Sequence, residues 1–339
     1  MAVICIEDIA HVRYSAPDLS TMDAFLRDFG FATFEADGRL YARGSDGRPF
    51  LHVTERGPAE FLAIGFRAET VADLEKLAAH EGVAVEDSAE PGGGKRVRLT
   101  DPDGYRVEII AGQVKAAAGD LPADPPRNTA AAKPRQRSTV RLDPTPSHIR
   151  RIGHAVLKVR DFRKSEAWYK ERFGFLTSDE VEAAKDVPLG AFMRCNRGDR
   201  PADHHTLFLA QLPGKLGILH AAFEVANLDD LMLGHQHLKA QKREPAWGVG
   251  RHIMGSQVFD YWKDPFGNEL EHWTDGDLFT AADPPQKMPL SALLAVQWGA
   301  PNPMFAGKAP PPQGLVTFFL ALSLRIKRLF RRNPKESAA

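Results

Sequence analysis

The sequence predicts an α+β protein built from two tandem copies of one module, and three observations support this. The 339 residues are enough for about two domains. The 43% hydrophobic and 26% charged residues are typical of a globular protein rather than a disordered one. A pattern of strand, turn and helix near the start recurs near the middle of the chain, and both copies end on the same turn motif.

Composition excludes several functional classes. The 44 basic and 44 acidic residues cancel, so the overall charge does not indicate a nucleic-acid-binding protein. Cys5 and Cys195 cannot form a disulfide framework, and there is no Cys-x-x-Cys motif, so we expect a cytoplasmic protein. The apolar start meets Glu7 and Asp8 too early for a signal peptide. No run of about 18 uncharged apolar residues predicts a membrane-spanning helix.

The two copies of the repeat begin alike. The first opens with IAHVRYSAPDLSTMDAFLRDFGF (residues 9–31), and the second opens with IGHAVLKVRDFRKSEAWYKERFGF (residues 152–175). Each run predicts a strand that carries one histidine, followed by an acidic turn and a helix. The first helix is expected to begin near Asp18 or Ser20, and the second near Asp161. Each is expected to end at a glycine, the usual C-terminal cap: Gly30 and Gly174.

The two copies also end alike. DPDGYRVEII (residues 101–110) and DPFGNELEHW (residues 264–273) each contain an Asp-Pro-x-Gly turn four residues before a glutamate. The glutamate falls in the strand that follows the turn. Glu108 and Glu271 therefore occupy equivalent positions.

These repeats divide the chain into four segments. Residues 8–112 form an N-terminal module, and residues 149–280 form a C-terminal module. Residues 113–148 contain six prolines and no hydrophobic periodicity, which is typical of a linker. Residues 281–339 form a Pro-rich tail that ends in a basic and apolar segment, GLVTFFLALSLRIKRLFRR.

The C-terminal module carries three candidate metal ligands on three predicted strands: His154, His220 and Glu271. Two imidazoles and one carboxylate make up the facial triad that binds Fe(II) and leaves coordination positions open. On its strand, His154 is expected to share a face with Ile152 and Val156.

The N-terminal module has lost one of these residues. His11 and Glu108 recur there, but Ala63 stands where the other module has His220. A single histidine on a strand is more often a packing or surface residue than a ligand. The joint occurrence of three ligand types in one copy, with one of them lost from the other, favours a metal site over a shared packing requirement.

Three more polar residues surround the candidate ligands in the sequence: His205, His252 and Tyr261. Imidazole transfers protons near neutral pH, and a tyrosine hydroxyl can donate to an anionic oxygen. We expect His205 to begin a strand that pairs with the strand of His220. Other interpretations stay open. His204 and His205 could simply be exposed at the surface, and Tyr261 could be an aromatic packing residue.

Residues 250–271 resemble the signature of the type I extradiol ring-cleaving dioxygenases of the vicinal oxygen chelate superfamily. Nine positions lead from His252 to Tyr261, and ten lead from Tyr261 to Glu271. The runs HHTLFL, LHAAFEVANLDDL and IGHAVLKVRDF also resemble this family. The resemblance covers residues 8–277, and its motifs are specific in the second half only. Asp260, Met254 and Gly255 depart from the family pattern, which leaves the substrate open.

The resemblance implies two tandem vicinal-oxygen-chelate modules built from paired βαβββ repeats. It implies Fe(II), less often Mn(II), held by His154, His220 and Glu271. It also implies an acid/base role for His205, with His252 and Tyr261 beside the bound oxygens. The implied substrates are a catechol-type aromatic diol and O2, and the implied assembly is a homo-oligomer.

Two other functions in the same superfamily stay open: a glyoxalase-like metal-dependent isomerase, and a non-enzymatic protein that binds small molecules. Isomerases of this kind usually draw ligands from both modules, and Ala63 argues against that. The tail allows a separate hypothesis, in which its basic and apolar segment lies on an anionic membrane surface. A helix at a subunit interface or a disordered end is the alternative for that segment.

Overall fold

The first copy of the repeat forms one mixed sheet in the computed structural model, which describes residues 2–303. Its elements are β1 (Ile6–Ala16), α1 (Leu19–Phe29), β2 (Ala32–Ala36), β3 (Arg39–Arg43), β4 (His52–Arg56), β5 (Glu60–Ala68), α2 (Val71–Glu81), β6 (Glu86–Asp87), β7 (Lys95–Thr100) and β8 (Arg106–Ala111). Their order across the sheet is β2-β3-β4-β1-β5-β8-β7-β6.

The second copy forms a larger mixed sheet. Its elements are β9 (Ile149–Lys158), α3 (Phe162–Phe173), β10 (Leu176–Ala184), β11 (Val187–Arg194), β12 (Ala202–Asp203), β13 (Leu207–Ala210), β14 (Gly217–Val225), α4 (Leu228–Ala240), β15 (Glu244–His252), β16 (Val258–Lys263), β17 (Glu269–Thr274), β18 (Leu278–Phe279), β19 (Gln286–Pro289), α5 (Leu290–Leu294) and β20 (Val296–Gly299). The sheet order is β19-β10-β11-β13-β9-β14-β17-β16-β15-β20, while β12 and β18 pair separately. The predicted α+β class with two repeated units is confirmed.

The repeat helices α1 and α3 begin and end where the sequence predicts. Asp18 and Asp161 cap their N-termini by accepting backbone N–H groups. Gly30 and Gly174 end them in the left-handed conformation, with φ of 108° and 71°. Side chains other than glycine rarely adopt this conformation, which is why glycine marks these ends in the sequence.

A β-bulge changes the predicted side-chain alternation on β9. Between Ile152 and His154, β9 has one residue more than the stretch of β14 with which it pairs. Strand β1 has a matching irregularity in its pairing with β5. Ile152 consequently joins the main core with Ala155 and Leu157, whereas Val156 belongs to a smaller cluster on the other face. The prediction that Ile152 shares the face of His154 and Val156 is therefore wrong.

One buried core joins the two halves of the described chain. Phe66 of β5 contacts Tyr169 and Phe173 of α3. Phe223 of β14 contacts Phe31, which follows α1. Each repeat helix therefore brings aromatic rings against the sheet of the other copy.

The first part of the predicted tail is built into the second sheet. β19 pairs with β10 at one edge, and β20 pairs with β15 at the opposite edge. Residues 286–299 therefore contribute a strand to each edge of this sheet. The sequence instead predicts that these residues belong to the tail that begins at residue 281. The basic and apolar segment, residues 314–332, lies outside the described residues. Among residues 2–303, no helix has both the length and the apolar character needed to cross a membrane.

Candidate metal centre

Three neighbouring strands in the middle of the second sheet carry the predicted ligands. His154 lies on β9, His220 on β14 and Glu271 on β17. Strand pairing places His154, Ala222 and Glu271 directly opposite one another, so their side chains leave the same face. His220 lies two residues before Ala222 and shares that face.

The three ligand atoms form a small triangle. Oε2 of Glu271 lies 3.1 Å from Nε2 of His154 and 3.2 Å from Nε2 of His220. The two nitrogens are 3.3 Å apart. Neighbouring ligands of a six-coordinate divalent ion, each at about 2.1 Å from it, lie about 3 Å apart. The triangle therefore has the size that a divalent ion requires.

Electrostatics also fit a divalent ion. Burial alone would raise the pKa of Glu271, but the neighbouring imidazoles of His154, His220 and His252 outweigh it and hold this pKa well below its usual value. Burial lowers the pKa of His154 to about 4. Within the described residues, Oε1 of Glu271 is buried without a hydrogen bond. An ionised carboxylate beside neutral imidazole forms the donor set that such a metal needs.

His252 and Tyr261 lie on one side of the ligands. Tyr261, on β16, is directly opposite Glu271, and His252 ends β15. Nε2 of His252 lies 3.0 Å from Oη of Tyr261 and 3.6 Å from Oε1 of Glu271. Burial raises the pKa of Tyr261 well above its usual value, so its hydroxyl keeps the proton and can donate it.

His205 lies on the other side of the ligands. Its ring centroid is 4.0 Å from that of His154 and 4.8 Å from that of Phe192. Burial lowers the pKa of His205 well below its usual value. The strand after it, β13, pairs with β9, so the predicted pairing with the strand of His220 is wrong. The surface interpretation is also wrong, because His204 is 1% exposed and His205 is 4% exposed.

Two residues behind His205 were not predicted to belong to the site. Nδ1 of His204 lies 3.0 Å from Nδ1 of His205, and Nε2 of His204 lies 2.7 Å from Oδ2 of Asp179. The paired histidines in the sequence were a signal for His204. No local sequence pattern indicated Asp179, because it lies 25 residues before His204 in the chain. It reaches the site only because strand β10, which carries it, lies beside the site in the fold.

A cavity of about 360 Å³ lies over this face of the sheet. The candidate residues His154, His205, His220, His252 and Tyr261 form part of its wall. Much of the remaining wall is apolar, including Phe192, Phe208, Leu219, Trp247, Met254 and Leu293. Among the described residues, no lysine or arginine lines the cavity.

The N-terminal module holds a side-chain cation at the equivalent place. His11, Gly65 and Glu108 lie opposite one another as His154, Ala222 and Glu271 do. Ala63 pairs with Arg13 as His220 pairs with Val156. Oε2 of Glu108 is 2.9 Å from Nε2 of His11 and 3.1 Å from Nη2 of Arg13. A guanidinium therefore neutralises Glu108, the counterpart of the candidate ligand Glu271.

Known proteins share this fold and sequence pattern. Residues 151–272 match the family model described as "Glyoxalase/Bleomycin resistance protein/Dioxygenase superfamily". The chain is 27% identical over 317 residues to Metapyrocatechase 2 of Cupriavidus necator, which covers 88% of this chain and 91% of the relative.

Two solved structures have a similar fold. The Mn(II)-bound glyoxalase from Novosphingobium aromaticivorans has a TM-score of 0.73 and 22% identity, covering 91% of this chain and 95% of that one. The 2,3-dioxygenase LapB from Pseudomonas sp. KL28 has a TM-score of 0.70 and 18% identity, covering 86% of this chain and 99% of that one. The resemblance inferred from the motifs is confirmed: residues 151–272 match the model of the glyoxalase/bleomycin resistance protein/dioxygenase superfamily, and the chain is similar to Metapyrocatechase 2 over most of its length.

Proposed function

We propose that the protein is an Fe(II)-dependent extradiol dioxygenase that opens the ring of a catechol-type aromatic diol with O2. The observation that carries this proposal is the triangle of His154, His220 and Glu271, whose two histidines line a largely apolar cavity beside the acid/base candidate His205. The relationship to Metapyrocatechase 2 over most of both chains supports an oxidoreductase of this kind.

Fe(II) is the proposed metal because two histidines and one carboxylate with open positions are typical of non-haem iron oxygenases. Held by His154, His220 and Glu271, iron would bring the diol and O2 together and would supply the redox chemistry that lets them react. Mn(II) suits the same ligands and is the less favoured alternative, which the manganese in the related glyoxalase structure keeps open.

The remaining site residues act on protons and charge. His205, kept neutral by burial, accepts a hydroxyl proton from the diol and returns it when the ring opens. His252 and Tyr261 lie 3.0 Å apart on the opposite side and donate hydrogen bonds to substrate oxygens. Both atoms of O2 enter the product, so no external reductant is needed.

The cavity favours an uncharged diol. Its volume of about 360 Å³ is at the lower end of small-molecule sites, and its wall is largely apolar. Within the described chain, the wall offers a carboxylate from Glu269 but no lysine or arginine to pair with an anionic substituent. We therefore propose alkyl- or aryl-substituted catechols, rather than catechols that carry a carboxylate, as substrates.

The two alternative functions predict different observations. A glyoxalase-like isomerase consumes no O2, and a binding protein does not need the complete triad. All three ligand atoms here come from one module, whereas isomerases of this superfamily usually use both. The proposed homo-oligomer, cytoplasmic location and membrane contact of residues 314–332 stay predictions. The two free cysteines, Cys5 and Cys195, suit a reducing compartment.

O2 uptake and the yellow ring-opened product, measured with a panel of diols, test the proposed function. We expect iron-dependent turnover of catechol, 3-methylcatechol and 2,3-dihydroxybiphenyl, with kcat/KM at least about tenfold lower for carboxylated catechols. His220→Ala should lose the iron and about a hundredfold or more of the turnover, because a ligand is removed.

His80→Ala is the matched control, since His80 is exposed on α2, far from the cavity in the fold. It should keep both iron content and turnover. Full turnover with unchanged iron in His220→Ala would overturn the assignment of the ligands. Equal kcat/KM for charged and uncharged diols would overturn the proposed substrate class.

A further inference from the structure

Asp179, His204 and His205 form a hydrogen-bonded chain that runs from β10 into the cavity. Asp179 and His204 are joined through Oδ2 and Nε2 at 2.7 Å, and the two histidines are joined through their Nδ1 atoms at 3.0 Å. All three residues are buried, with whole-residue exposures of 8%, 1% and 4%. The chain ends at His205, which lines the cavity beside His154.

The direction of donation along this chain follows from its first member. An ionised carboxylate only accepts hydrogen bonds, so Nε2 of His204 carries the proton that is donated to Asp179. A neutral imidazole with its proton on Nε2 has a lone pair on Nδ1. That lone pair must accept from Nδ1–H of His205, which leaves the lone pair of His205 on Nε2.

We propose that Asp179 and His204 are positioning residues that fix the tautomer of His205, so that its Nε2 is the atom that accepts the proton of the diol. This proposal rests on the proposed function for its kinetic consequence. The tautomer itself is a property of the chain and can be measured without turnover.

Other contacts hold His204 in place independently of Asp179. Its backbone oxygen accepts from Oγ of Ser178 at 2.6 Å, and its backbone N–H donates to the oxygen of Asp277 at 3.0 Å. Its ring lies against Gly255, where an added Cβ would be 2.9 Å from Nδ1. Replacing the Asp179 carboxylate therefore changes the hydrogen-bond direction without removing the packing that positions the ring.

The first test measures the tautomers directly. The full-length protein, labelled with ¹⁵N-histidine and loaded with diamagnetic Zn(II), is studied by long-range ¹H–¹⁵N correlation spectra, with His204→Phe used for assignment. We expect His204 protonated on Nε2 and His205 protonated on Nδ1. In Asp179→Asn the amide can accept or donate, so His205 should show a mixture of both tautomers. A wild-type His205 protonated on Nε2 would overturn the proposal.

The second test separates positioning from structure in the Fe(II) enzyme. Asp179→Asn and His204→Phe should lower kcat about tenfold or more, with iron content and the KM for the diol within twofold of wild type. Ser178→Ala is the matched control, because it removes a buried hydrogen bond to the same histidine outside the proposed chain. An equal fall of kcat in Ser178→Ala, or no fall in Asp179→Asn, would overturn the proposal.

The two proposals fail in different ways. A wild-type protein that consumes no O2 with any diol contradicts the proposed function, while the Zn(II) spectra still decide the tautomer of His205. An active enzyme whose kcat is unaffected in Asp179→Asn and His204→Phe keeps the proposed function and refutes the positioning role. Anaerobic binding of 4-nitrocatechol, whose absorbance changes on ionisation, gives a second readout. Its ionisation should be at least tenfold slower in both variants than in Ser178→Ala.

Discussion

Single residues make the difference between the candidate metal site of the second copy and the ion pair at the same place in the first. Val156 and Arg13 occupy equivalent positions, as do His220 and Ala63. In the first module the long side chain of Arg13 places its guanidinium against Glu108. In the second module the shorter side chain of Val156 does not fill the equivalent space beside Glu271. Alanine in place of histidine removes a candidate ligand, and the arginine supplies a fixed positive charge there. In the first copy, the buried carboxylate of Glu108 is thereby neutralised by a side-chain cation.

Arg13 should be important for stability because it neutralises several buried carboxylates. Its side chain is 1% exposed and lies 2.7 Å from Glu90 and 3.1 Å from Glu108. Burial alone would lower the pKa of Arg13, but Glu108, Glu90 and Glu55 outweigh it and raise this pKa. Arg13→Met should lower the free energy of unfolding by about 3 kcal/mol, because Glu90 and Glu108 lose the buried cation that they share, although they keep Arg96 and Arg106. Urea unfolding measures this loss.

The control for this prediction is an arginine in an exposed ion pair. Arg27, paired with Asp23 along α1, is 60% exposed, and Arg27→Met should cost no more than about 1 kcal/mol. Arg13→Met with Glu108→Gln should recover part of the loss, since the buried carboxylate that lost Arg13 is replaced by a neutral amide. Equal losses for Arg13→Met and Arg27→Met would contradict the assigned role.

At the scale of elements, the sequence predicts what local interactions determine. The ends of α1 and α3 depend on an aspartate cap and a glycine a few residues away, and both are visible in the sequence. The bulge in β9 and the pairing of β19 and β20 with sheet edges depend on partners distant in the chain. The three candidate ligands could be predicted because a repeat and a motif mark them, and the structure brings them together. Asp179 was missed because only the sheet brings it to His204.

Strand β4 makes stability depend on pH through His52. This residue is fully buried, and burial lowers its pKa to about 3. The unfolded chain therefore binds a proton below about pH 6.5 that the folded chain does not bind. The stabilisation is complete above pH 6.5, and it is lost as the pH falls from 6.5 toward 3.

His52→Phe should reduce the pH dependence of stability, because phenylalanine keeps the ring and cannot bind a proton. Between pH 7.5 and pH 5, the fall in the free energy of unfolding should be smaller than in wild type by about 2 kcal/mol. Urea unfolding at both pH values measures the difference. The exposed His80 provides the control variant His80→Gln, which should behave as wild type does. An unchanged pH dependence in His52→Phe would refute this role.

At the scale of the whole molecule, the two modules stabilise each other. Oη of Tyr105 in the first module donates to the backbone oxygen of Lys158 in the second at 2.7 Å. Oη of Tyr169 donates to Oδ2 of Asp101 at 3.1 Å across the same boundary. Phe66 lies between the first sheet and helix α3. A core shared in this way favours unfolding of both modules in one transition.

Phe66→Ala tests this cooperativity, because all five tryptophans lie in the second half of the chain, from Trp168 onward. Removing the buried ring from the first sheet should lower the free energy of unfolding by about 3–5 kcal/mol. If both modules unfold together, tryptophan fluorescence and far-UV circular dichroism will show the same shift in urea midpoint. Phe34→Ala, at the partly buried edge strand β2, should give a smaller shift that is also equal in both probes. A fluorescence midpoint that stays at the wild-type value in Phe66→Ala, while the dichroism midpoint falls, would show that the modules unfold independently.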